Sequence, residues 1–182
     1  MKLRNALLGL GTVVLAMGFN SCDISNDSDF QCPEDFTGAL MENENGLVGK
    51  WELTGIMADK EVDLTSDGED NPTKDIYAQY SECEKDTDFV FSSNRGYTNS
   101  QGQHADNCTN KVTFSGTWRL TNQALSLVRD CSMENLPLEF NEEKTTFSYK
   151  GDYTVTDVHG MKIRTEVTFT YSKTPNDLET AK

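Results

Sequence analysis

Leu47-Val48-Gly49-Lys50-Trp51-Glu52-Leu53-Thr54 sets Val48, Trp51 and Leu53 among Gly49, Lys50, Glu52 and Thr54. Large apolar residues alternating with polar ones, with β-formers at the apolar positions, are the mark of a half-buried strand. The same alternation recurs downstream at Phe89 and Phe91, Val112 and Phe114, Trp118 and Leu120, and Leu125 and Leu127. It continues through Leu136, Leu138 and Phe140, then Phe147 and Tyr149, Tyr153 and Val155, and Ile163, Thr165, Val167, Phe169 and Tyr171. Each group puts its apolar residues on one face of a strand.

Turn-forming residues separate these runs. Ser93-Asn94-Arg95-Gly96, Thr121-Asn122, Lys150-Gly151-Asp152 and His159-Gly160 all read as turns between strands. Spacing this short predicts an antiparallel meander of about eight strands, because parallel strands need longer crossovers. Such a meander closes into a barrel or stacks as a sandwich to hide its edges and apolar faces. Asp75 to Glu84 is the one stretch suited to a helical turn, and the acidic run Asp63 to Asn71 before it reads as a loop. The folded domain is expected over 46–174, followed by a polar tail over 175–182.

Upstream of the strands the composition changes twice. Met1-Lys2-Leu3-Arg4-Asn5 is basic, and Ala6 to Phe19 carries no charge, which is the order of a secretory signal peptide. The apolar run is shorter than the roughly 20 residues a spanning helix needs, and Gly9, Gly11 and Gly18 interrupt it. It ends in Ser21-Cys22, a small residue before cysteine that resembles a bacterial lipobox, although Phe19-Asn20 departs from the commonest form. The resemblance implies a signal peptide over 1–21 and a diacylglycerol on Cys22 as the new amino terminus, with the bilayer as the first partner. Residues 22–45 are polar and acidic and read as a tether, with Ser25-Asn26-Asp27-Ser28-Asp29 close behind the anchor. Acidic residues there also resemble the surface-export signals of Bacteroidota-type lipoproteins. The expected location is therefore the outer membrane, on its periplasmic or cell-surface face.

The chain carries a net charge of −14, and losing residues 1–21 removes Lys2 and Arg4 but no acid. A field of that sign repels phosphate backbones and excludes nucleic acid as a partner.

With Cys22 set aside, Cys32, Cys83, Cys108 and Cys131 form an even set in an exported chain, which predicts two disulfides. Of the three connectivities we favour Cys83 with Cys108, ahead of predicted strands and one hairpin apart, which leaves Cys32 with Cys131. The wide spacings contain no close cysteine pair of the kind structural zinc sites use, so no metal site is expected.

Two blocks carry a family resemblance. Gly49-Lys50-Trp51 at the start of the first strand resembles the Gly-x-Trp opening of lipocalins. Cys83-Glu84-Lys85-Asp86, Asp88-Phe89-Val90-Phe91, Cys108, Ser115-Gly116-Thr117-Trp118-Arg119-Leu120 and Leu125-Ser126-Leu127 together resemble the lipocalin-like domain of Bacteroidota-type surface lipoproteins. The likeness covers roughly residues 46–130, and it implies an up-and-down eight-stranded barrel with Trp51 and Trp118 closing one end. Barrels of that size are filled by side chains or hold one small ligand. The expectation is a non-enzymatic protein with an apolar or amphipathic ligand against Phe89, Phe91, Phe114 and Phe169. The alternative is an interaction lipoprotein with a filled barrel that docks on an envelope partner.

Catalytic chemistry has little to stand on. His104 and His159 both lie in polar loops and read as solvent-facing, without a nucleophile elbow or a second ligand nearby. Asp63 to Asp70 resembles the start of a calcium loop, but the twelfth position is Lys74 where a bidentate Glu is required. No catalytic residue, metal or cofactor is assigned.

Overall fold

The computed structural model describes residues 31–175. The expected signal peptide, Cys22 and nearly all of the expected tail lie outside that range.

Within it the chain is a nearly closed antiparallel barrel. Its strands are β1 (Gly49–Val62), β2 (Thr73–Asp75), β3 (Thr87–Phe91), β4 (Gly96–Gln101), β5 (Val112–Thr121), β6 (Ala124–Arg129), β7 (Ser132–Pro137), β8 (Glu139–Phe140), β9 (Thr146–Thr156) and β10 (Lys162–Lys173). Neighbours run in the order β7-β6-β5-β4-β3-β1-β10-β9-β8, so apart from short β2, consecutive strands pair as an up-and-down meander demands. The two ends of that order are one bent piece of chain. β7 pairs with β6 and β8 with β9, and Leu138 between them is buried with its N–H donated to the Gln123 carbonyl at 2.7 Å. Counting β7 and β8 as a single kinked strand and setting β2 aside leaves the eight-stranded barrel expected from the sequence.

Alternation selects what fills the barrel. Trp51, Trp118, Phe91, Phe147, Leu125 and Leu138 are among the largest fully buried side chains, and all lie toward the end where β1 begins. Both indole N–H groups are satisfied, Trp51 by the Leu47 carbonyl at 2.7 Å and Trp118 by the Ser92 carbonyl at 3.1 Å. Burying an indole N–H without such a partner would cost roughly 1–3 kcal/mol.

Two glycines show how tight the wall is. A Cβ on Gly116 would collide with the Val128 carbonyl oxygen and lie 2.9 Å from the Tyr97 ring. A Cβ on Gly151 would lie 2.8 Å from the Tyr153 ring. Lys150-Gly151-Asp152 is therefore not the turn expected from its composition: β9 runs unbroken through it, and the glycine makes room for a neighbouring aromatic ring.

A second correction concerns the tether. Residues 31–45 pack on the barrel, with Phe36 and Glu44 buried. Phe36 donates its N–H to Thr117 Oγ1 at 2.9 Å and lies 4.1 Å under the Arg119 guanidinium, and Glu42–Leu47 then forms a 3-10 helix across the barrel end. An acidic composition implied solvation, but here the acid has a buried cationic partner.

Both disulfides form as expected, Cys83–Cys108 and Cys32–Cys131. The expected helical turn is present as α1 (Ile76–Gln79) and α2 (Glu82–Lys85), and residues 63–72 form a loop. Among the described residues no helix is long and apolar enough to cross a membrane.

Candidate functional site

The barrel has two unlike ends, and the sequence builds each differently. At the closed end, where β1 begins, the Glu44 carboxylate accepts from both terminal nitrogens of Arg95 at 2.8 Å, from the Leu120 N–H at 3.1 Å and from the Met41 N–H at 2.7 Å. Arg95 also donates to the carbonyls of Gly38, Ala39 and Trp118. Burial opposes ionisation of Glu44, but the guanidinium and the two N–H donors outweigh it and hold the carboxyl down at about 2. This plug seals the end under which Trp51 packs on Phe147 at 4.9 Å.

The other end is a mouth. β1 pairs with β3 only from Gly49 to Glu52, shifts register against β10 between Leu53 and Gly55, and pairs with β2 from Met57 onward. The two strands splay, and β2, α1 and α2 occupy the opening. They are held there by the Tyr77 hydroxyl donating to the Leu53 carbonyl at 3.2 Å and by Gln79, which donates to the Val62 carbonyl at 3.0 Å and accepts from the Leu64 N–H at 2.6 Å. A capping box between Ser81 and Glu84 starts α2, and the Cys83–Cys108 bond ties it to the loop after β4.

Beneath this splay lies a recess of about 210 Å³, with Leu53, Ile56, Phe114, Phe169 and Tyr171 as its apolar wall. Tyr80, Glu84, Thr87, Asn99 and Gln101 add polar groups to its lining. Tyr97, Leu127, Arg129, Asp130, Met133 and Glu134 line a second recess of about 340 Å³. The Arg129 guanidinium stacks 3.9 Å from the Phe114 ring, so this pair links the two linings.

An aromatic ladder connects the two ends. Phe147 stacks on Tyr171 at 5.2 Å, Tyr171 meets Tyr149 at 6.1 Å, Tyr149 stacks on Phe169 at 5.2 Å, and Tyr153 meets Phe169 edge-on at 5.4 Å. Burial pushes the Tyr171 phenol up to about 12. Burial raises Tyr149 further, helped by Tyr171, Tyr153 and Glu134. Both stay neutral at any physiological pH, so the ladder presents hydroxyl dipoles and ring faces rather than charge.

The four expected ligand-contact residues divide between the two ends. Phe114 and Phe169 line the first recess. Phe89 and Phe91 do not: they stack on each other at 5.5 Å, Phe91 packs on Trp118 at 5.4 Å, and both are core. Trp51 and Trp118 are core of the closed end. Tyr80 and Glu84 escaped sequence reasoning, because only the splay of β1 from β3 brings them to the mouth. The Glu44–Arg95 pair was missed too. A mixed-sign pair 51 residues apart leaves no local pattern.

Both histidines lie in loops. His104 is exposed, and its Nδ1 lies 3.1 Å from Asp86, which also accepts the N–H groups of His104 and Ala105. Asp88 nearby pairs with Lys50 at 3.3 Å. His159, Asp63 and Asp70 bring ligand atoms within 4.8 Å of one another. The Asp63 carboxylate is already taken by the N–H and hydroxyl of Thr65 and the N–H of Asn71. Lys74 sits in β2, so the loop offers no twelfth-position ligand.

The family model described as Domain of unknown function (DUF5004) matches residues 25–174, and the chain belongs to that family. No curated protein matches it.

Proposed function

We propose that this member of the DUF5004 family is a lipid-anchored, non-enzymatic binding module of the outer membrane that holds a small apolar or amphipathic ligand in the mouth of its barrel. One observation carries the reading: at the mouth Leu53, Ile56, Phe114, Phe169 and Tyr171 surround a recess of about 210 Å³, while Trp51, Trp118, Phe91 and Phe147 fill the interior toward the closed end. Desolvating those faces drives binding by roughly 25 cal/mol per Å² of apolar area covered. The recess is smaller than the roughly 300 Å³ at which drug-sized pockets begin, so it suits a slim chain or single ring. Asn99, Gln101 and Glu84 offer hydrogen bonds to a polar end of the same molecule.

Native mass spectrometry of the purified lipoprotein, with titration of a fluorescent apolar probe, tests this. A retained or titratable ligand that Phe169→Ala weakens supports it, and a protein that takes up neither ligand nor probe sinks it.

The filled closed half favours one second reading, a docking lipoprotein whose barrel is only a scaffold. Recovery of a stoichiometric envelope partner after crosslinking, with no small molecule bound, would favour that reading.

A further inference from the structure

The bases of this acidic chain are matched wherever they are covered, with one exception. Of the described bases that are not exposed, Lys50 pairs with Asp88 and Glu52, Lys85 with Glu82 and Arg95 with Glu44, and Lys173 donates to the Gly46 carbonyl. Arg129 is half-buried too. Yet among the described residues no carboxylate lies within 4.0 Å of its guanidinium and no oxygen accepts a hydrogen bond from it.

The strands explain how it comes to lie there. Leu125, Leu127 and Arg129 alternate along β6, so the arginine continues the inward face that the two buried leucines set. Gly116 on β5 leaves room beside it, since a Cβ there would lie 3.0 Å from the Arg129 Cβ. Two residues along β5, the Phe114 ring receives the guanidinium at 3.9 Å. Stacking occupies one face of the guanidinium and uses none of its N–H donors, which lie in its plane. Among the described residues that line the two recesses Arg129 is the one base, and Asp130 and Glu134 line the second recess with it, beyond pairing distance.

We propose that Arg129 selects the polar end of the ligand: one negative charge of carboxylate type, held by the guanidinium in the second recess, with the apolar part running over Phe114 into the first. The proposal rests on the binding reading above and names the class of molecule bound. A planar fork of donors matches a carboxylate with two parallel hydrogen bonds. Half-burial has already removed part of the guanidinium's water without supplying a partner, so an entering anion meets little further desolvation there. Asp130 and Glu134 set the upper limit on charge, because a second negative charge on the head would face both of them. The net charge of −14 does not reverse the preference. Distant surface charges are screened over about 10 Å at 0.1 M salt, which leaves the groups in the recess to decide.

The test holds the tail constant and changes the head. Octanoate, octanol, octylammonium and octyl phosphate are titrated calorimetrically into the full-length protein in phosphatidylcholine nanodiscs, with empty nanodiscs as the blank, at a pH well above the second phosphate pKa of about 6. Octanoate should bind about tenfold more tightly than octanol, as one charge-assisted pair supplies, with octyl phosphate weaker than octanoate and octylammonium weakest. Arg129→Gln should bring octanoate down to the affinity of octanol, and Arg129→Lys should keep part of the difference. Equal binding of octanoate and octanol, tighter binding of octylammonium or octyl phosphate than of octanoate, or an octanoate preference that survives Arg129→Gln overturns the proposal while leaving the binding reading in place. If none of the four binds, the binding reading falls and the proposal falls with it.

Discussion

The two ends of this barrel are stabilised by different physics. Among the described residues the closed end has no disulfide. It is held by Trp51, Trp118, Phe91 and Phe147 packed to exclude water, and by an ion pair in which every strong donor and acceptor is matched. The mouth differs: it keeps two recesses, lined in part by the exposed Phe114 and Met133, and both disulfides are there, one tying α2 to the loop after β4 and one tying the entering chain to the β6–β7 turn. Where a barrel keeps space inside, apolar burial cannot order the loops around it, and covalent links take over that task. An open recess is compatible with a stable domain where the stability is supplied elsewhere.

Breaking the covalent end should have the largest effect. Cys32–Cys131 closes a loop of 99 residues, and chain entropy predicts a loss of about 4 to 5 kcal/mol for the Cys32→Ser, Cys131→Ser double variant. Urea denaturation measures it. If the loss is near zero, the mouth is held by contacts and the contrast between the ends fails.

At the closed end, Glu44→Ala leaves Arg95 buried without a counter-charge. Such changes cost about 3 to 5 kcal/mol, read as a fall in the denaturation midpoint, while a probe bound at the mouth keeps its affinity in the folded fraction.

The pH dependence of stability sharpens the same point. The Glu44 carboxyl titrates at about 2 when folded against 4.5 when free. Its folded value is depressed, so its contribution is fully present above pH 4.5 and is lost as the pH falls through about 2. The difference corresponds to roughly 3 kcal/mol. Acid melting of the wild type against Glu44→Gln measures it, and the variant should show a flatter profile across that window.

The smallest effect on stability belongs to the mouth. Phe114→Ala removes a 41% exposed ring and its stack on Arg129, and should cost under about 1 kcal/mol. If the recess binds apolar probes, affinity should fall severalfold in the same variant. A stability loss as large as that of Glu44→Ala would mean that the mouth is core after all.

The sequence alone determined the strand series, the meander, the number of disulfides and the helical turn, and it favoured the pairing that the structure shows. Period-two alternation and a hairpin between two cysteines are local signals that each strand carries by itself. Tertiary structure decided everything that depends on which strands part. Phe89 and Phe114 sit in the same alternating pattern, yet one is sealed in the core and the other lines the recess, because β1 leaves β3 at Leu53. Gly151 reads as a turn residue locally, and only the Tyr153 ring beside it explains a glycine in mid-strand. The acidic segment before Leu47 reads as solvated, and only Arg95 arriving from the β3–β4 turn turns Glu44 into a buried plug. Burial and pairing are properties of neighbours brought together by folding, and a periodic pattern specifies the face a residue lies on without specifying what meets that face.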